Sequence, residues 1–161
     1  MIILSIDSGI ERTGYAFFDR DKKHENGLRY INSGLVQTSK ALKKETRLEE
    51  IYKNFEALIK KMKPELMVME QLFFFKNVKT AISVAQAQGI LLLLASQQKL
   101  PVHFLTPLQI KQIITGYGQS DKKSVQKMLR MTLHLTEELQ QDDVADAIAC
   151  GAAFCYLNRL I

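Results

Sequence analysis

Apolar and polar positions along the chain follow two different periods. The runs IILSI at 2–6, YAFF at 15–18 and LRYINSGLVQT at 28–38 are of strand length and are separated by turn-forming residues. They predict three strands joined by tight turns. The connector DRDKKHENG at 19–27 is charged and ends on Gly27, the composition of an exposed hairpin tip. Over 41–62 the period changes: Leu48, Ile51, Tyr52, Phe55, Leu58, Ile59 and Met62 fall at helical spacing. That predicts an amphipathic helix with a lysine-rich outer face, stopped before Pro64. LMVME at 66–70 is again a continuous apolar run, closing on Glu70, and residues 78–98 are nearly all small or aliphatic, which predicts a long buried helix. VHFL at 102–105 is a short strand, after which Thr106 and Pro107 supply an N-cap and a first-turn proline for a helix over 107–114. GYG at 116–118 breaks that helix, SDKKSVQKMLRMTL begins another, and DDVADAIACGAAFCYLNRL closes the chain as a helix. Three strands followed by alternating helices and strands predict an α/β protein, a mixed sheet with helices on its faces, in a single domain over 1–161.

Composition adds a partner class. A chain of 161 residues, 47% hydrophobic and 24% charged, can bury a sizeable core, and its formal charge of +5 favours a polyanion as partner. Cys150 and Cys155 match no zinc spacing and predict reduced, buried thiols. Asp7 interrupts the first apolar run and no basic segment precedes it, while GILLLLA at 89–95 is too short to span a bilayer. A cytoplasmic protein with no membrane partner is expected.

The candidate chemistry lies at strand ends. Asp7 closes one apolar strand and Glu70 another, and ligands of α/β sheets gather beyond such carboxyl ends. A third acidic group stands in DDVAD: Asp143 and Asp146 share a helix face, but so do Asp142 and Asp146, and spacing alone leaves both pairs open. Acids in a first helical turn are ordinarily explained by the helix dipole. Four carboxylates converging at one sheet end would repel one another unless hard cations neutralised them, and an all-oxygen ligand set suits Mg²⁺, with Mn²⁺ able to substitute. Two such ions about 4 Å apart activate water and hold the oxygens of a phosphodiester displacement.

These blocks resemble a known family. IDSGIERTGYAFF resembles the I-D-P-G-x-x-x-T-G-[YW] opening of RuvC-type Holliday junction resolvases. EQLFFFKNVKTAISVAQAQG resembles their E-x-x-[FY]-x-x-[KR]-N segment and the helix after it. IKQIITGYGQSDKKSVQKML resembles their G-x-G-x-A-x-K-x-Q stretch, and DDVADAIACG resembles their closing D-x-A-D-A-[LI]-A. The four blocks stand in family order and span nearly the whole chain. The resemblance implies an RNase H-like fold with a five-stranded mixed sheet flanked by helices on both faces. It implies a homodimeric, Mg²⁺-dependent endonuclease that resolves four-way DNA junctions in recombination and repair, with a RuvAB-type branch-migration complex as a further partner. Position by position it implies metal ligands at Asp7, Glu70, Asp143 and Asp146, which settles the choice that spacing left open. It also implies an aromatic that stacks on junction bases at Phe73, and basic residues near the scissile phosphate at Lys111 and Lys122. Ser8 departs from the family's proline, and Asp142 adds a carboxylate.

The remaining basic residues are weighed against ordinary solvation. Lys122, Lys123, Lys127 and Arg130 lie at the start of a helix, where the dipole does not favour cations, so Lys123, Lys127 and Arg130 are read as phosphate contacts. The exposed Gln86/Gln88 region of the 78–98 helix is a candidate dimer surface. Two other classes fit parts of the pattern. DSGIERTG also fits the phosphate turn of an actin-like or sugar-kinase lobe, although that class needs a second lobe. A non-catalytic junction-binding protein would share the fold but has no use for clustered carboxylates.

Overall fold

A computed structural model of the chain describes residues 1–24, 27–72, 78–136, 139 and 141–157. Its strands are β1 (Ile2–Asp7), β2 (Arg12–Asp19), β3 (Arg29–Gln37), β4 (Leu66–Glu70) and β5 (Val102–Leu105). The helices are α1 (Lys44–Met62), α2 (Val78–Gln97), α3 (Pro107–Thr115), α4 (Lys122–Thr132) and α5 (Asp142–Leu157). The strands form one sheet in the order β3-β2-β1-β4-β5. β1, β2 and β3 pair antiparallel, whereas β1–β4 and β4–β5 pair parallel.

Alternation along the central strands sorts side chains between two cores. Leu4, Ile6, Phe17, Met67 and Met69 pack with Ile51, Phe55 and Ile59 of α1 and Leu91 and Leu94 of α2. Ile3, Phe18 and Val68 face the other way, against Ile110 and Ile114 of α3, Val125 and Leu129 of α4, and the small residues of α5. A strand buried on both faces reads as an unbroken apolar run, which is why β1 and β4 stand out in the sequence.

Local signals account for the boundaries. Thr106 forms a full capping box with Gln109 at the start of α3, and Gly116 ends that helix in the left-handed region with φ 80°. Asp121 caps α4 through the Ser124 N–H. Three expectations need correction. β2 begins at Arg12 rather than Tyr15, because Thr13 and Gly14 lack an apolar signature yet extend the ladder. The long helix α2 is not buried all round: Ile82 is 53% exposed and Leu93 51%. Arg130 lies in the last turn of α4, not near its start, and there the dipole favours a cation.

Candidate active site

Strand parity sets the first two carboxylates. Ser5 faces α5, so Asp7, two residues on, faces the same side, as does Glu70 two residues after Val68. The parallel register that sets Ile6 against Met69 brings the two acids level at the carboxyl ends of neighbouring strands.

α5 brings the other two. Its small residues let the helix lie close on the sheet: Ser5 Oγ donates to the Ala147 carbonyl at 2.8 Å, and a Cβ on Gly14 would collide with the Asp143 backbone. Only glycine at position 14 lets β2 approach the first turn of α5 this closely. The arrangement aims Asp143 and Asp146 at Asp7 and leaves Asp142 exposed beside Lys122.

The electrostatic result is a concentrated negative field. Burial, followed by repulsion from Asp146, Glu70 and Asp143, pushes the Asp7 carboxyl up to about 7. Burial and Asp146 likewise push Glu70 up to about 7, against the pull of Lys111 and Lys122. Asp146 is raised by burial despite its pairing with Lys122. Beneath the cluster the Cys150 thiol is held well above its ordinary value by complete burial and by the charges of Glu70 and Asp7.

Two cations offset part of this field. Lys122 Nζ lies 3.0 Å from Asp146 Oδ2 and 3.4 Å from Asp142 Oδ2. The lysine loses by burial, but its pairs with Asp146 and Asp142 outweigh that loss and raise its pKa. The buried Nε of Arg12 sits 2.7 Å from Asp143 Oδ2, an ion pair whose N–H is not aligned as a hydrogen bond. Among the described residues no three His, Cys, Asp or Glu side chains are gathered closely enough to hold a metal ion as they stand. Even so, the donor set fits a hard divalent cation: every candidate ligand is a carboxylate, and Asp7 and Glu70 are unsettled by burial and then by neighbouring carboxylates, a repulsion such a charge relieves.

Residues that do not stand out in the sequence hold the site together. Gln88 of α2 is buried, not exposed, and its Nε2 donates to the Glu70 carbonyl at 3.1 Å and to Ser8 Oγ at 3.4 Å. It thus ties the turn after β1 to the end of β4. Ser8 accepts a bond that a proline could not. Thr13 Oγ1 donates to the Gly9 carbonyl at 2.5 Å, and Thr38 Oγ1 to the Ile10 carbonyl at 2.6 Å, while Arg47 Nε donates to Thr38 Oγ1 at 2.8 Å. The turn behind Asp7 is therefore fixed by side chains. Nothing in the residue types of Gln88 or Arg12 announces these contacts; only the paired positions do.

The basic residues divide between two grooves. Lys111 and Lys122 line a cleft of about 410 Å³ with Glu70, Asp146 and Gln126. Lys123, Lys127 and Arg130 line a second groove of about 460 Å³ with Met131 and Leu139. Gln126 borders both. Phe73 lies outside the described residues.

Comparison with known proteins adds a family. The family model described as "Crossover junction endodeoxyribonuclease RuvC" matches residues 3–155. A protein of that name from Thermosipho melanesiensis is 45% identical over 155 residues, 96% of this chain and 96% of the relative. Another from Fusobacterium nucleatum is 46% identical over 149 residues, 92% of this chain and 77% of the relative. The solved structure of T. thermophilus RuvC in complex with Holliday junction substrate superposes with a TM-score of 0.91 at 27% identity, covering 99% of this chain and 96% of that one.

Proposed function

This chain belongs to the RuvC family of crossover junction endodeoxyribonucleases, with the RNase H-like fold, and is a Holliday junction resolvase; we propose that Asp7, Glu70, Asp143 and Asp146 carry its chemistry as ligands of Mg²⁺. The observation that carries this reading is the convergence of Asp7 and Glu70, both pushed up to about 7, with the first turn of α5. Two Mg²⁺ ions per site, or Mn²⁺ in their place, would supply an activated water and neutralise charge on the scissile phosphate.

The protein's own groups do the rest. Partial burial at the strand ends removes some of the water around Asp7 and Glu70, which strengthens the charge interactions there. Lys122, on the cleft wall beside Asp146, would face a phosphate oxygen as charge builds on it. Lys111, which lines the same cleft, would orient the strand. Lys123, Lys127 and Arg130 would receive phosphates further along, and Phe73 a base.

We also propose that the enzyme is a homodimer, since two sites related by twofold symmetry place paired nicks in like strands of a twofold junction. The outward face of α2, with Ile82 and Leu93 more than half exposed, is the surface suited to that contact. A strict monomer in gel filtration with full resolving activity would overturn it. A RuvAB-type branch-migration complex is proposed as partner, to be tested by faster resolution of a mobile junction when it is added.

The central test uses a four-way junction with Mg²⁺. Wild type should introduce paired symmetric nicks, whereas Asp7→Asn and Glu70→Gln should bind the junction without cutting. Binding without cutting by wild type in both Mg²⁺ and Mn²⁺ would refute the ligand assignment.

A further inference from the structure

The segment between α3 and α4 is held far more firmly than a surface connector requires. Gln112 clamps it with both ends of its amide: Nε2 donates to the Gly116 carbonyl at 2.7 Å and Oε1 accepts from the Gly118 N–H at 2.9 Å. The Tyr117 N–H donates to Thr115 Oγ1 at 3.2 Å, and the Tyr117 carbonyl accepts from the Ser120 hydroxyl at 2.7 Å and N–H at 3.1 Å. Gly116, at φ 80°, makes the turn possible.

What this rigid loop displays is an aromatic ring. Tyr117 is 61% exposed, and among the described residues its hydroxyl makes one hydrogen bond, a long one of 3.3 Å to Gln119 on the same loop. Leu108, 60% exposed, lies against the same loop, and a Cβ on Gly118 would come to 3.0 Å from its Cγ. A single exposed apolar side chain is ordinary. Two bordering the same loop, on backbone immobilised by a set of side-chain and main-chain bonds that includes Thr115 Oγ1 to the Tyr117 carbonyl and Gly116 N–H to the Gln112 carbonyl, form a prepared surface.

Position and charge identify the occupant. Leu108 and Lys111 are three apart on α3 and neighbours on its surface, and Lys111 lines the active-site cleft. The path from the carboxylates therefore runs over Lys111 and Leu108 to Tyr117. Lys111, Lys122 and Lys123 flank this path, while the acid beside it, Asp121, is engaged as the N-cap of α4. An apolar ring bordered by lysines suits a nucleobase attached to a phosphate backbone.

We propose that Tyr117 is a stacking platform for an unpaired nucleobase of the strand that leaves the cleft past Lys111, with Leu108 bracing the platform. This rests on the junction-resolving reading and adds a positioning contact to it, outside the residues that line the cleft. Such a contact holds the strand in register without touching the reacting atoms.

The chain has no tryptophan, so one introduced indole reports its own surroundings. Tyr117→Trp is titrated with a synthetic four-way junction in the absence of divalent metal, with binding followed separately by anisotropy of labelled DNA. Tyr52→Trp, on α1 across the sheet, is the control. The expected result is strong quenching of the Tyr117→Trp emission along the binding curve and little change in the control. Tyr117→Ala should weaken junction binding roughly 10-fold, and Tyr117→Phe should restore it, because stacking needs the ring and not the hydroxyl. Binding by anisotropy with unchanged Tyr117→Trp emission, or equal quenching in Tyr52→Trp, overturns the proposal and leaves the resolvase reading intact. No junction binding by wild type would overturn both.

Discussion

The two faces of the sheet differ in how closely their helices approach it. Against α1 and α2 the core is made of large side chains, Phe17, Phe55, Ile51, Met67 and Leu91 among them, and the buried volume is its purpose. Against α5 the packing mixes large side chains, Phe18, Ile148 and Phe154 among them, with alanines, Gly151 and two cysteines that bring helix backbone and sheet almost into contact, and a serine hydroxyl pins one carbonyl. The first face supplies stability through apolar area. The second buries apolar area as well and adds closeness, which brings Asp143 and Asp146 of α5 within electrostatic reach of Asp7. One face thus serves stability alone, while the other serves stability and also positions the candidate site.

The strongest way to sharpen this contrast is Phe55→Ala. Phe55 is fully buried against Phe17 and Tyr15, and its removal should cost about 3–5 kcal/mol of stability, read by denaturant unfolding. Junction nicking per folded molecule should be unchanged; a large loss there would break the division between faces.

Next comes pH. Asp7 and Glu70 have folded-state values raised to about 7 from ordinary values of 3.8 and 4.5, so folding disfavours their charged forms. The stability they contribute is fully present below about pH 4 and is lost as pH rises through 7. Metal-free protein should therefore be more stable at pH 5 than at pH 8, by on the order of 3 kcal/mol in denaturant unfolding, and Asp7→Asn should flatten the profile. Asp19 and Asp121 are lowered by hydrogen bonds, chiefly to His24 and Ser124, and act with the opposite sign below this window.

Gly14→Val attacks the close face directly. Its side chain would run into the Asp143 backbone and lift the start of α5, and a displacement near 1 Å should lower nicking by about 100-fold. The smallest effect is expected from Arg12→Gln. Losing the ion pair that steadies Asp143 should weaken Mn²⁺ binding by about 10-fold in calorimetric titration without DNA. An unchanged affinity would make Arg12 irrelevant to the site.

Much of this is written in the sequence wherever burial leaves a pattern. β4 reads correctly to the residue because both its faces are covered, and α3 announces itself through Thr106 and Pro107. Asp7 and Glu70 are legible as charges closing apolar runs. What escapes is set by neighbours distant in sequence. Thr13 and Gly14 look like a turn, and only the approach of α5 explains why small residues belong in a strand there. Gln88 resembles any exposed glutamine until the strand ends it joins are known. The lysines of α4 run together in sequence, yet consecutive residues are turned about 100° apart, so Lys122 and Lys123 face different grooves.

The alternation that aims Asp7 and Glu70 at α5 also makes their place a matter of counting. Each strand behaves as a ruler whose marks are two residues apart: Ser5 to Asp7, Val68 to Glu70. Apolar letters within it can be exchanged for others without moving the last mark. Inserting or deleting one residue in β1 or β4 would instead send the carboxylate to the α1 side of the sheet, with every chemical group of the site still encoded. The nuclease is therefore more vulnerable to a change in the number of residues in these two strands than to most changes in their identity.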